Sequence, residues 1–227
     1  MTPKAVIFDL DGTLLDTLSD LTYAVNVTLE RRGYPTRTSA EVRSFLGDGA
    51  EMLIRRALPA GTDEAEVKAA TAEYKQIYLD NLLRETAPYA GIPEMLAELK
   101  RRGIKSAVVS NKYYKSTKEL CDIFFKDIDG VMGEMEECGI KRKPAPDMLL
   151  RVMDELGATP ENTLYSGDSD VDVITAGRAG VKCISVTWGF QDEDRLRGAG
   201  AEYVAHHPSE IISIIDSICA SACFDWS

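Results

Sequence analysis

Short apolar runs recur along this chain at intervals that a layered architecture accommodates best. Ala5-Val6-Ile7-Phe8, Lys105-Ser106-Ala107-Val108-Val109, Thr163-Leu164-Tyr165 and Lys182-Cys183-Ile184-Ser185-Val186 are brief, rich in β-branched residues and bounded by polar turns. That is the pattern of strands buried on both faces. Gly130-Val131-Met132 and Tyr203-Val204-Ala205 read as weaker strands. Helical periodicity lies between them, for example over 93–102, 145–156 and 208–219. Strands alternating with helices predict an α/β fold with a doubly wound parallel sheet of the Rossmann-like kind.

One stretch breaks the alternation. From Thr17 to Leu83 the periodicity is helical throughout, with Leu21, Ala24, Val25, Thr28 and Leu29 on one face. Glu41 to Leu58 and Glu64 to Leu83 continue it, and Gly33-Tyr34-Pro35 and Pro59-Ala60-Gly61 supply the breaks. The economical division is an α/β core over 1–15 and 86–227, with a helical cap domain inserted over 16–85.

Charge narrows the partners. Lys and Arg total 26 against 37 Asp and Glu, for a net charge of -11 in 227 residues. An extended polyanion surface needs clustered basic residues, so neither nucleic acid nor an anionic membrane is expected as a partner. No apolar run approaches the roughly 18 residues of a membrane span. The five cysteines include no CxxC pair, which fits free thiols in a reducing cytoplasm. Oligomeric state stays open between monomer and homodimer.

Ligands of doubly wound sheets bind beyond the carboxyl ends of the strands. After the first strand come Asp9, Leu10, Asp11, Gly12 and Thr13. Alternate residues of an extended segment point the same way, so both carboxylates can face one small volume. Such a pair repels itself unless a cation or a shared proton intervenes; a solvated Asp-Gly turn is the simpler alternative. After the second strand, Ser110-Asn111-Lys112 suits either a phosphate or the cap of the next helix. Lys143, followed by Pro144, closes a basic triplet that is either a surface loop or a point charge for a phosphoryl group. Ser166-Gly167-Asp168-Ser169-Asp170-Val171-Asp172 offers hard oxygen ligands that suit Mg²⁺, or a polar turn with Ser169 or Asp170 as helix cap. Acid, hydroxyl, base and acid thus follow successive strands.

These residues carry a family resemblance. Val6-Ile7-Phe8-Asp9-Leu10-Asp11-Gly12-Thr13-Leu14-Leu15-Asp16-Thr17 resembles the first signature of the haloacid dehalogenase-like hydrolases. Ser110, Lys143-Pro144, and Gly167-Asp168-Ser169 with Asp172 resemble the second, third and fourth, in order. Phe45-Leu46-Gly47-Asp48-Gly49 leading to Arg56-Ala57-Leu58, Pro88-Tyr89-Ala90-Gly91-Ile92 and Val186-Thr187-Trp188-Gly189 look most like the phosphoglycolate phosphatases of that family.

The resemblance implies a cytoplasmic, Mg²⁺-dependent phosphatase of small phosphorylated metabolites, with 2-phosphoglycolate the best single substrate. It implies Asp9 as nucleophile, Asp11 as general acid and base, and Lys143 as the phosphate's counter-charge. Mg²⁺ would be held by Asp9, Asp168 and the backbone carbonyl of Asp11, with Asp172 orienting ligands behind it. Ser110, Asn111, Gly12 and Thr13 would bind the phosphoryl group, and Arg56 would reach the substrate carboxylate; an exposed helical Arg is the plainer reading of Arg56. A sugar phosphomutase like β-phosphoglucomutase or an inorganic pyrophosphatase shares this core and cap. A non-catalytic binding protein on the scaffold would be expected to lose one of Asp9, Asp11, Lys143 or Asp168, and all four are present.

Overall fold

The computed structural model describes residues 2–135 and 139–221; Cys138, Cys223 and Trp226 lie outside them. The elements run β1 (Ala5–Phe8), β2 (Leu15–Asp16), α1 (Leu18–Arg31), α2 (Ser39–Phe45), α3 (Gly49–Ala57), α4 (Glu64–Leu79), β3 (Ala87–Pro88), α5 (Ile92–Arg101), β4 (Lys105–Tyr113) and α6 (Tyr114–Phe124). The chain continues through β5 (Gly130–Glu134), α7 (Asp147–Glu155), β6 (Thr163–Gly167), α8 (Asp170–Ala179), β7 (Lys182–Val186), α9 (Glu193–Gly198), β8 (Tyr203–Ala205) and α10 (Pro208–Ser221).

The main sheet has six parallel strands in the order β5-β4-β1-β6-β7-β8. All six sequence-predicted strands are in it. The pleat sends Val6 and Phe8 into one apolar layer and Ala5 and Ile7 into the other. Val108 and Leu164 join the first layer, while Val109 and Tyr165 join the second. Burial on both faces explains why these strands read as continuous apolar runs. Met132, Met148 and Met153 are core residues of the second layer.

β1 lies between β4 and β6, with Phe8 opposite both Val108 and Ser166. The segments after Phe8, after Val109 and after Gly167 therefore emerge side by side. β4 runs further than its apolar portion, through Ser110, Asn111 and Lys112 to Tyr113. The N-cap of α6 is Tyr113, without a side-chain hydrogen bond. Ser110 and Asn111 are therefore strand residues at the sheet's end, not a helix cap.

Helices α1 to α4 form the insertion. The predicted face of α1 is buried, Leu21, Ala24, Val25, Thr28 and Leu29 together with Asp20. Thr38 and Glu41 close a capping box at the start of α2, and Asp63 caps α4 by accepting from Glu66 N. The stretch from Glu41 to Leu58 is two helices, because Gly47 and Gly49 adopt φ of 113° and 83° and turn the chain between them.

The insertion leaves and rejoins the core through an antiparallel ribbon, Leu15 opposite Pro88 and Asp16 opposite Ala87. Two-residue strands have no periodicity to read, so this ribbon was not legible in the sequence. Asp20 braces it. Its carboxylate is buried and accepts from the N–H groups of Arg84, Glu85 and Thr86 and from Thr86 Oγ1. Asp20→Ala should remove the shared acceptor of those N–H groups and leave the buried Thr86 N–H unpaired, costing about 1–3 kcal/mol of stability. Urea denaturation reads this directly; a loss under about 0.5 kcal/mol would show that the brace contributes little.

Candidate active site

Beyond Phe8 the backbone winds around one carbonyl. Leu10 O accepts from Thr13, Leu14 and Leu15 N–H, and Asp9 N donates to Ser166 O of the neighbouring strand. Gly12 makes the turn possible with φ of 83°, and a Cβ there would stand 2.3 Å from Asp168 Oδ2. The close fit of this loop against Asp168 thus requires glycine.

Lys143 enters from the other side of the sheet end. It is 3% exposed, and its Nζ lies 3.0 Å from Asp9 Oδ1 and 2.7 Å from Asp172 Oδ1. The Tyr165 hydroxyl accepts a hydrogen bond from the same Nζ at 3.0 Å. Asp172 also takes Tyr165 OH on Oδ1, and Ser169 N and Oγ on Oδ2. Ser169 occupies the N-cap position of α8. Asp168 is held by Thr13 Oγ1 at 3.2 Å and by Phe190 N at 2.7 Å.

Asp9, Asp168 and Asp172 bring carboxylate oxygens within 4.8 Å of one another. A carboxylate offers about four acceptor positions. Those of Asp172 are taken by Lys143, Tyr165 and Ser169, which leaves it an orienting role behind the other two. Asp9 Oδ1 is buried and accepts no well-aligned hydrogen bond. Asp168 keeps open lone pairs on the same side chain that Thr13 and Phe190 fix. These hard oxygens fit a divalent cation.

Burial pushes the Asp9 carboxyl up to about 6 against the opposing pull of Lys143, with the charges of Asp172 and Asp11 adding to the rise. Burial, then the charges of Asp9 and Asp172, raise Asp168 well above its ordinary value. Burial also opposes the charge on Lys143, but Asp172 and Asp9 outweigh it and hold the ammonium's pKa above its usual value.

Asp11 lies two residues beyond Asp9 and receives both oxygens' worth of Lys112, 2.9 Å to each, plus Thr17 Oγ1 at 2.8 Å. Ser110 is buried at the cavity wall and accepts from Lys112 N. Asp9, Asp11, Ser110, Asn111, Lys143 and Asp168 all line one cavity of about 270 Å³ between sheet end and insertion.

Four residues expected to touch the substrate are engaged otherwise. Thr13 is fully buried, with its hydroxyl on Asp168 and its carbonyl accepting from Trp188 Nε1, so it and Gly12 shape the site without facing the cavity. The Asn111 amide donates to the Gly47 and Lys143 carbonyls and has no N–H left for a phosphoryl oxygen. Arg56 binds Asp48 Oδ2 and the Phe45 carbonyl, and it is outside the cavity lining. An i,i+8 partner across a turn satisfies that guanidinium locally. Besides Lys143, the cations that do line it are Arg43, Lys75, Lys112 and Arg195. Lys112, whose Nζ also lies 4.1 Å from the centre of the Tyr78 ring, sits beside Ser110 and Asn111 in the sequence. Its position there was the one available signal.

Comparison with known proteins agrees with this geometry. The family model for haloacid dehalogenase-like hydrolases matches residues 6–186. The chain belongs to the haloacid dehalogenase-like hydrolase family. The phosphoglycolate phosphatase of Pseudomonas putida is 38% identical over 197 residues, 83% of this chain and 71% of that protein. The phosphoglycolate phosphatase of Aquifex aeolicus is 32% identical over 94% of this chain and 97% of its own. A solved structure from Lactobacillus delbrueckii subsp. bulgaricus superposes with a TM-score of 0.87 at 32% identity, covering 95% of this chain and 99% of that one. The chain is thus a hydrolase whose curated relatives are phosphoric monoester hydrolases. Among the described residues, no helix is long and apolar enough to cross a membrane.

A cation held by Asp9 and Asp168 would link stability to protons. The Asp9 and Asp168 carboxyls bind protons more tightly folded than unfolded. The metal-free protein therefore loses stability as pH rises from about 4 toward about 6 and above. A divalent cation that takes both groups as carboxylates offsets that loss. The cation-induced rise in Tm should be larger at pH 7.5 than at pH 5; a larger rise at pH 5 would contradict the assignment.

Proposed function

We propose that this chain is a Mg²⁺-dependent phosphatase of small phosphomonoesters, with 2-phosphoglycolate as substrate, and that residues 16–85 act as its cap domain. The observation that carries the reading is Asp9. Its carboxylate is buried at the floor of the cavity, paired in charge with Lys143, and one of its oxygens has no hydrogen-bond donor aligned on it. A carboxylate so held is a nucleophile positioned in advance.

Asp9 attacks phosphorus and forms an aspartyl-phosphate, displacing the alcohol oxygen of the substrate. Asp11 gives that oxygen its proton and later takes one from the water that hydrolyses the intermediate. Lys112 and Thr17 hold the Asp11 carboxylate in one orientation. Ser110 Oγ donates to a phosphoryl oxygen, and Lys143 balances charge between phosphate and Asp9. Asp9, Asp168 and the backbone carbonyl of Asp11 would hold Mg²⁺, which when bound neutralises phosphoryl charge and lets two anions meet.

Substrate choice lies in the upper wall of the cavity, which the insertion supplies. The volume suits a small molecule. Lys75 and Lys112 add positive charge where a second anionic group of the substrate would lie, and this takes over the role expected of Arg56.

Asp9→Asn should abolish turnover while circular dichroism and Tm show a folded protein; undiminished activity would remove Asp9 as nucleophile. A panel of 2-phosphoglycolate, pyrophosphate and hexose phosphates, assayed with Mg²⁺ and with EDTA, tests the substrate class. Preference for pyrophosphate or a hexose phosphate would replace 2-phosphoglycolate. Lys75→Met should raise KM for 2-phosphoglycolate about fivefold or more, with little change for a neutral phosphate ester. Arg56→Ala should move neither.

A further inference from the structure

The peptide joining Gly189 to Phe190 is held at both ends. Its N–H donates to Asp168 Oδ2 at 2.7 Å, and its carbonyl accepts from Arg43 Nη2 at 2.7 Å. A trans peptide points these groups in opposite directions. One rigid plane therefore has a guanidinium on one side and a site carboxylate on the other. Arg43 Nε donates to the next carbonyl, Phe190 O, also at 2.7 Å, so the planar fork grips two successive carbonyls. Arg43 belongs to α2 in the cap, whereas the loop follows β7 in the core.

Little slack separates this plane from the metal-binding carboxylate. A methyl group at Gly189 would stand 2.3 Å from both Asp168 Cβ and Gly12 O. The same loop is seated by Trp188 Nε1 on Thr13 O at 3.0 Å, and by Gln191 Oε1, which accepts from Asp170 N at 2.9 Å. The loop thus reads the turns that carry Asp9 and Asp168. Its outer side faces the cap, which also touches the core through Asn111 Nδ2 on Gly47 O.

We infer that Arg43 is a positioning residue that couples closure of the cap to the cation affinity of the Asp9–Asp168 pair. The inference rests on the cation reading above. With the cap closed, the fork fixes the 189–190 plane, and the plane fixes Asp168. A carbonyl that accepts from a guanidinium also polarises its own peptide and strengthens the N–H on the far side. With the cap open, both carbonyls lose the fork and Asp168 loses its outer brace. Linkage is reciprocal, so a cation bound at Asp168 favours the closed cap by the same factor.

The test uses the substrate-free protein and two readouts that do not depend on turnover. Mg²⁺ is titrated calorimetrically into wild type, Arg43→Ala, Arg43→Lys and Arg55→Ala, and amide exchange of residues 46–49 is followed with and without Mg²⁺. Arg55 pairs with Glu51 and Glu64 inside the cap and serves as control. The Mg²⁺ Kd should rise about tenfold in Arg43→Ala. It should recover in part in Arg43→Lys, which keeps the charge and a single donor nitrogen, and stay unchanged in Arg55→Ala. Mg²⁺ should slow exchange at 46–49 in wild type but not in Arg43→Ala. Wild-type affinity in folded Arg43→Ala overturns the coupling while the cation reading stands. An equal loss in Arg55→Ala also overturns it, since any loosening of the cap would then suffice. If wild type itself binds no Mg²⁺, the cation reading falls and takes the coupling with it.

Discussion

Lys143 places an ammonium group among Asp9, Asp172 and Tyr165 at a depth where water contributes little screening. Without it, Asp9, Asp168 and Asp172 would crowd negative charge within 4.8 Å in a medium of low dielectric. Their protons would then be harder to remove, and Asp9 would be pushed further toward the neutral carboxylic acid. With it, the two ends of the salt bridge satisfy each other, and the remaining repulsion favours a divalent cation. The same ammonium pairs with Asp172, which lies behind the cavity lining. The sheet serves this arrangement by setting β1 between β4 and β6, so that Asp9, Ser110 and Asp168 leave adjacent strands.

The helical insertion solves a different problem. In the proposed reaction the core would hold the phosphoryl group, but the core alone is open to water, which would weaken every electrostatic contact and offer no means of choosing the rest of the substrate. Helices α1 to α4 close over the sheet end and supply Arg43, Lys75 and Tyr78 to the cavity. The ribbon of β2 and β3 and the brace at Asp20 hold the two crossings together.

Much of this was legible along the chain. Strands buried on both faces announce themselves as apolar runs, and the acids and base that follow them are exposed to reading by their type and order. Less was legible where a side chain has several polar partners within reach. Thr13 and Asn111 have the right chemistry for phosphate, yet Thr13 turns to Asp168 and Asn111 to two carbonyls. Arg56 suits a carboxylate, and it has one in Asp48. Arg43 shows no signature in its helix, because its partners are backbone carbonyls 146 and 147 positions away.

Local order along the chain determined the α/β alternation, the helical insertion and the identities of Asp9, Asp11, Lys143 and Asp168, because periodicity and charge type are properties of neighbours in sequence. Only the tertiary structure decided which donors remain available for a ligand. Hydrogen bonds are claimed by whichever group lies within about 3 Å, and folding sets that distance between residues the sequence keeps far apart.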